Sequence, residues 1–311
     1  MTKHPLVIPG LVCAVTAASF AAILIRWCEA PAPIIATYRL AFAFMLTVPI
    51  YMMTKQISAD RRAWRGFPDA LLAVASGIFL ALHFWAWVSS LNYTSVASAV
   101  MLVSAHPLIV YVLARLVLGE SLSRRAALGG LVALLGTIVI AGCDLQIGGK
   151  ALWGDLLALV GAVTMACYLV IGRQLRARLS VWGYTVIVYG VAAVVLATIT
   201  FLSDIPFAPY ATRNWLLFLA LAVIPTLGGH TIFNWTLRYL QAATVSITTL
   251  AEPAGSIVLA WLLLGEPPGV LQILGGFLVI GGLVWFIRAQ TEQSDPQLAR
   301  PAQVGSGSKI E

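Results

Sequence analysis

Two prolines set the chemistry open to this chain. Glu252 precedes Pro253 and His106 precedes Pro107, and each pair falls within a long apolar run. Proline cannot donate to the carbonyl four residues back, so Thr249 and Val103 lose a helical partner and the helix tends to kink. A carboxylate and an imidazole are thereby expected beside loosened backbone in the middle of hydrophobic segments. Two readings stand: a proton-coupling or cation-binding pair, or helix-to-helix hydrogen bonds that fix the kinks. Arg39 is the other charge deep in an apolar run. An arginine there holds a substrate carboxylate, or pairs with a protein carboxylate or helix C-terminus for stability.

Uncharged polar residues fill out the candidate site. His83 and Trp87 are four apart, as are His230 and Asn234, so each pair shares a helix face. Imidazole, indole and amide among apolar walls suit a small-molecule pocket, and a tryptophan also stacks on an aromatic or cationic ligand. Thr244 and Thr248 share the Glu252 face, while Ser19, Thr164 and Tyr168 are polar atoms among small residues. Intramembrane Ser and Thr often bond their own backbone instead. The expected substrate ligands are His83, Trp87, His230, Asn234, Thr248, Ser19 and Tyr168, with Glu252, His106 and Arg39 carrying charge or coupling. Nothing points to catalysis: HExxH, GxSxG and Walker A patterns are missing. Cys13, Cys28, Cys143 and Cys167 have neither metal-ligand nor disulfide-framework spacing, so no cofactor or metal is expected.

The elements that position these residues follow from composition. The chain has 311 residues, 60% hydrophobic and 10% charged, with mean hydropathy +0.92. Soluble domains carry roughly 25% charge, and a soluble protein this apolar would expose large greasy patches. Ten segments near the roughly 20 residues needed to span a bilayer are expected at about 5–25, 33–53, 67–90, 94–114, 126–143, 152–172, 181–203, 214–236, 240–263 and 269–288. With a cytoplasmic N-terminus, fifteen of the 19 basic residues fall inside and Arg26, Lys150 and Arg213 outside. Both termini are thus expected in the cytoplasm, with the protein in the cell (inner) membrane. The net charge of +7 is dispersed over short loops and implies no nucleic-acid partner. Residues 289–311 turn polar and read as a disordered cytoplasmic tail.

A shift of 146 residues overlays one half of the chain on the other. Leu91 and Tyr93 meet Leu237 and Tyr239, Pro107 meets Pro253, Gly119-Glu120 meets Gly265-Glu266, and Gly136 meets Gly282. Each half (5–143 and 152–288) holds five spans. An odd number turns the second copy over, which makes the repeats inverted and favours a midplane site with alternating access. The expected fold is therefore an all-α integral membrane protein of two inverted five-helix repeats. Gly129 and Gly136, and Gly275 and Gly282, lie seven apart on single faces, where small residues let backbones approach. The fifth and tenth spans read as packing helices outside the pocket, joined within a monomer or across a homodimer.

The halves resemble two EamA-type repeats of the drug/metabolite transporter superfamily. The resemblance rests on Tyr38-Arg39, His83-Phe84 with Trp87, Leu91-Asn92-Tyr93-Thr94-Ser95-Val96-Ala97, Pro107 and Leu118-Gly119-Glu120, then Tyr239, Ala242-Ala243, Glu252-Pro253 and Leu264-Gly265-Glu266. It runs from about residue 10 to 288. It implies ten helices, cytoplasmic termini and export of amino acids or other small metabolites, without naming the cargo. A passive channel or facilitator for a small polar solute is the alternative that the symmetry leaves open.

Overall fold

The computed structural model describes residues 4–90, 92–94, 99, 102–141, 149–265 and 267–294. Leu91, Ser95 to Ala97, Cys143, Glu266 and the tail beyond residue 294 lie outside the described residues.

Apolar runs of this length fold as helices because helices satisfy their own backbone hydrogen bonds. The first half carries α1 (Val7–Trp27), α2 (Ala32–Met53), the short α3 (Ile57–Ala63), α4 (Phe67–Ser90), α5 (His106–Leu118) and α6 (Arg124–Ala141). The second carries α7 (Gly149–Arg176), α8 (Val181–Leu202) and α9 (Thr212–Leu221). A π-helical stretch (Ala222–Thr231) follows, then α10 (Ile232–Thr236), α11 (Ala242–Thr248), a 3-10 turn (Thr249–Ala251), α12 (Glu252–Leu264) and α13 (Val270–Ser294). Among the described residues every regular element is helical. Eight helical stretches are long and apolar enough to cross a membrane, and His106–Leu118 is a shorter apolar helix. The protein is a multi-pass helical membrane protein.

Three expected spans depart from simple helices. The ninth is broken, as Pro253 requires: α11 ends at Thr248 and α12 begins at Glu252 after a 3-10 turn. In the first half α5 likewise begins at His106, with Pro107 in its first turn. The eighth widens into the π stretch around Pro225, where the hydroxyls of Thr226 and Thr231 each donate to the carbonyl five residues back. The last helix also runs past residue 288 to Ser294, so the start of the expected tail is helical.

Gly119 and Gly265, which are 146 residues apart, close α5 and α12 in the left-handed conformation, with φ of 68° and 69°. Glycine adopts it without a Cβ penalty. The packing pairs α4 with α7, α1 with the π stretch, α2 with α8, and α5 with α11, and α6 and α13 form the most extensive pair. The glycine faces of these last two meet inside one chain. A Cβ at Gly136 would lie 2.6 Å from the Gly275 carbonyl oxygen, and one at Gly129 would lie 2.6 Å from the Phe286 nitrogen. Main chain touches main chain there, which only glycine permits.

The molecule has two unlike ends. His4 packs on Tyr239 with ring centroids 4.9 Å apart, and Gln290 donates to Gln241, so both chain ends lie beside the 237–241 turn. Ion pairs and hydrogen bonds draw the 54–66, 119–123 and 177–180 connections to the same side. Exposed Lys55, Arg61, Arg62, Arg65, Arg124, Arg125 and Arg238 also lie there, which makes it the basic end. At the opposite end Asn214 bonds the backbone of Glu29, and the Tyr38 hydroxyl donates to the Phe207 carbonyl.

Candidate functional site

Helices from both halves enclose a cavity of about 310 Å³. Six of the ten residues expected to act line it: Arg39, His83, Trp87, His106, His230 and Glu252. Its walls lie in the half of the molecule away from the basic end. Trp87 is near the end of α4, Ile140 is the penultimate residue of α6, and Gln272 is in the first turn of α13.

Arg39 is 3% exposed, and its Nε donates to the Thr226 hydroxyl at 2.7 Å. Its guanidinium carbon sits 4.4 Å from the Phe84 ring centroid, a cation–π contact. Among the described residues no carboxylate lies within ion-pair distance (4.0 Å) of Arg39, although Glu252 lines the same cavity. The Glu252 side chain makes no hydrogen bond there either; its backbone carbonyl accepts from Ser19 at 3.2 Å. Glu252 stands in the first turn of α12, where the helix dipole favours a negative charge. The cavity therefore holds one basic and one acidic side chain that face each other across it without forming a close ion pair.

The histidines differ in their roles. His83 Nδ1 is 2.9 Å from the Gly161 carbonyl, which can only accept, so Nδ1 carries a proton and Nε2 is left free to accept in the neutral ring. His106 Nδ1 is 2.9 Å from the carbonyl of Val103, one of the two that the prolines were expected to release. Its Nε2 is 3.2 Å from the hydroxyl of Thr249, which itself reaches the Ser246 carbonyl at 2.7 Å. That hydroxyl has a single proton: it serves Nε2 when the ring is neutral and Ser246 when the ring is doubly protonated. His106 thus bridges the two broken helices. His230 projects from the π stretch and meets the Phe84 ring edge-on, with centroids 5.4 Å apart.

Four expected ligands lie elsewhere. The Ser19 hydroxyl is shared between the Val15 and Glu252 carbonyls, and the Ser19 carbonyl accepts from Ser256, so this serine seats α12 on α1. Asn234 and Tyr168 are buried and bonded to each other at 2.5 Å, on the basic-end side of His230. They tie α10 to α7 inside the core. The Thr248 hydroxyl is spent on the Val245 carbonyl, and its side chain lines a separate apolar groove with Thr244. Thr164 bonds its own helix at Val160 and Gly161.

The expectation that the fifth and tenth spans stay out of the pocket fails, since Ile140 and Gln272 reach its rim. Ser104, Thr249 and Ser256 are lining residues that the sequence reading passed over. The signal for them was available: each lies within four residues of Pro107 or Pro253.

The basic end is closed by carboxylates of the first half that grip the α7–α8 corner. Glu120 pairs with Arg173 at 2.7 Å and accepts from the Ala242 nitrogen at 2.9 Å, while Arg173 also donates to the Leu237 carbonyl. Asp69 takes both terminal nitrogens of Arg178 at 2.9 Å, a fork-on-fork pair. Asp60 accepts from the nitrogen and hydroxyl of Ser180, which caps α8. Arg176 donates to the carbonyls of Asn234 and Leu179.

Comparison with known proteins gives this arrangement a family. One solved structure, titled "Crystal structure of protein", superposes with a TM-score of 0.79 at 18% identity, covering 94% of this chain and all of that one, and so shares the fold. The chain is 27% identical over 221 residues to YxxF, an uncharacterized transporter of Bacillus subtilis, spanning 69% of each. It is 27% identical over 253 residues to the pseudopaline exporter CntI of Pseudomonas aeruginosa, spanning 80% of this chain and 84% of that one. The family described as EamA-like transporters matches twice, at residues 6–142 and 152–288. With nearly the whole chain covered by two copies of that family on a helical membrane fold, this protein belongs to the EamA-like transporter family.

Proposed function

We propose that this membrane transporter exports a small metabolite bearing both a carboxylate and an amino group, an amino acid or a close analogue, by proton-linked alternating access. The observation that carries the reading is a basic and an acidic side chain, Arg39 and Glu252, that line one cavity without closing an ion pair with each other. A buried charge is costly without a partner. A zwitterion supplies one to each: its carboxylate to the Arg39 guanidinium and its ammonium to Glu252. His83, Trp87, Phe84 and His230 form the surrounding wall for the rest of the substrate. When the site is empty, a proton on Glu252 removes the unmatched anion, which links proton and substrate occupancy.

Alternating access needs one end shut while the other admits substrate. The carboxylates Asp60, Asp69 and Glu120 tie the basic end, and the cavity occupies the opposite half. We read the basic end as cytoplasmic from its excess of arginine and lysine, which places both termini inside and makes this the outward-opening state. The layout of ten spans as two inverted repeats, 5–143 and 152–288, is supported by the packing. Each of the pairs α2–α8 and α6–α13 maps onto itself when the halves are exchanged, and α4–α7 maps onto the pairing of α1 with the π stretch. The likeness to an exporter supports outward movement, and the inner membrane is the proposed location.

The test is uptake of a radiolabelled amino-acid panel into sealed proteoliposomes, with and without a proton gradient. The reading expects saturable uptake of one zwitterionic class whose rate changes with the gradient. Uptake that only equilibrates and ignores the gradient would replace it with a passive facilitator.

A further inference from the structure

A second cavity, of about 450 Å³, lies beside α11, on the basic-end side of the helix break that carries Glu252. It is a groove between α1 of the first half and α11 and α13 of the second, lined by residues 8–16, 240–251 and 280–290 of those elements. Nearly every group facing it is apolar. Two of its three threonines spend their hydroxyls on their own helices, Thr16 donating to Val12 at 2.9 Å and Thr248 to Val245 at 2.6 Å. Val12 is 63% exposed on its floor.

Depth and charge say what fits. Along α13 the groove runs from Gln290 at the basic end to Ile280, ten residues or about 15 Å of helix. That is half of a hydrocarbon core of about 30 Å, the reach of one leaflet's acyl chain. The groove closes near mid-membrane, at Ala251 beside the helix break. Its mouth is polar and basic. The lining residue Gln290 donates to Gln241 there, and the flanking segments carry Arg288, next in sequence to the lining residue Ile287, and Arg238, two residues before the lining residue Leu240. Both arginines are exposed and form no ion pair with the described residues. Cationic side chains at this height attract anionic headgroups.

We propose that this groove binds one anionic phospholipid of the leaflet at the basic end, with an acyl chain along α1 and α13 and its phosphate at Arg238 and Arg288. The site joins the two halves beside the break that carries Glu252, so its occupant wedges the seam along which they would rock. The proposal holds whatever the transporter carries.

Native mass spectrometry of protein purified in mild detergent tests it, with phosphatidylglycerol or phosphatidylcholine added back. The wild type should keep one phosphatidylglycerol per chain, in preference to phosphatidylcholine by on the order of tenfold from two surface arginines. Val12→Trp, which fills the groove from an exposed position, should lose the lipid. Val194→Trp, at a position on α8 that is 66% exposed, should keep it. Arg238→Gln with Arg288→Gln changes only exposed side chains and should abolish the headgroup preference even if the tryptophan variant fails to fold. Retention by folded Val12→Trp at the wild-type level, equal retention of the two lipids, or an unchanged preference in the double arginine variant would overturn the proposal. A dimer mass that Val12→Trp removes would also overturn it, since a second copy would then cover the groove.

Discussion

Arg39 and Glu252 carry most of the functional argument, and their substitution should separate binding from coupling. Arg39→Gln keeps a hydrogen-bonding side chain but removes the charge. A charge-assisted hydrogen bond contributes about 1.5–3 kcal/mol, so half-saturation for a carboxylate substrate should rise roughly ten- to hundred-fold. Glu252→Gln should leave a folded protein whose transport no longer responds to a proton gradient, checked by comparing thermal melts and gradient-driven rates. At this scale the sequence was informative where charge was concerned. Arg39, His106 and Glu252 are too costly in a membrane to be incidental, and all three face the cavity. It misled where polarity was cheap. Ser19 and Thr248 spend their hydroxyls on nearby carbonyls, and the Asn234 amide donates to the Tyr168 hydroxyl. A single residue letter does not reveal which partner a hydroxyl chooses.

Among the elements, the helix breaks were legible because proline dictates them, and the α6–α13 contact because glycine spacing does. The π stretch was not anticipated, although Pro225, Gly228 and Gly229 stand within it. His230 is near its end and lines the cavity, whereas Asn234, in the α-helical turn that follows, bonds Tyr168 in the core, so four-residue spacing failed as a guide there. The glycine contact makes a sharp prediction. Gly136→Val forces a side chain against the Gly275 carbonyl and the Val279 nitrogen and should cost at least about 1–3 kcal/mol as overpacking, read as a lowered Tm. Gly276→Ala, with no atom within 4 Å of the added carbon, should be neutral or stabilising by up to about 1 kcal/mol, because alanine favours helix.

At the scale of the whole molecule, the proposed alternating access makes the basic end the closed gate, with the ion pairs of Glu120 and Asp69 holding it. Glu120 is the pivotal residue, because one carboxylate engages both Arg173 and the first turn of α11. Glu120→Gln should favour opening at this end. A cysteine placed at Ala243, which is 2% exposed, should then react several-fold faster with an impermeant maleimide applied from the basic side. Background from Cys28 at the opposite end is low, because burial pushes its thiol up to about 11 against the pull of Arg213. An unchanged labelling rate would remove Glu120 from the gate.

The central claim is that one substrate bridges Arg39 and Glu252. It is tested most directly by competition against transport of the best amino-acid substrate in proteoliposomes, using that substrate's own analogues lacking either the carboxylate or the amino group. The account predicts strong competition by the intact zwitterion and weak competition by both analogues, with Arg39→Gln narrowing the gap between the zwitterion and the analogue without a carboxylate. Equal competition by all three, or an unaltered gap in the Arg39 variant, would contradict it.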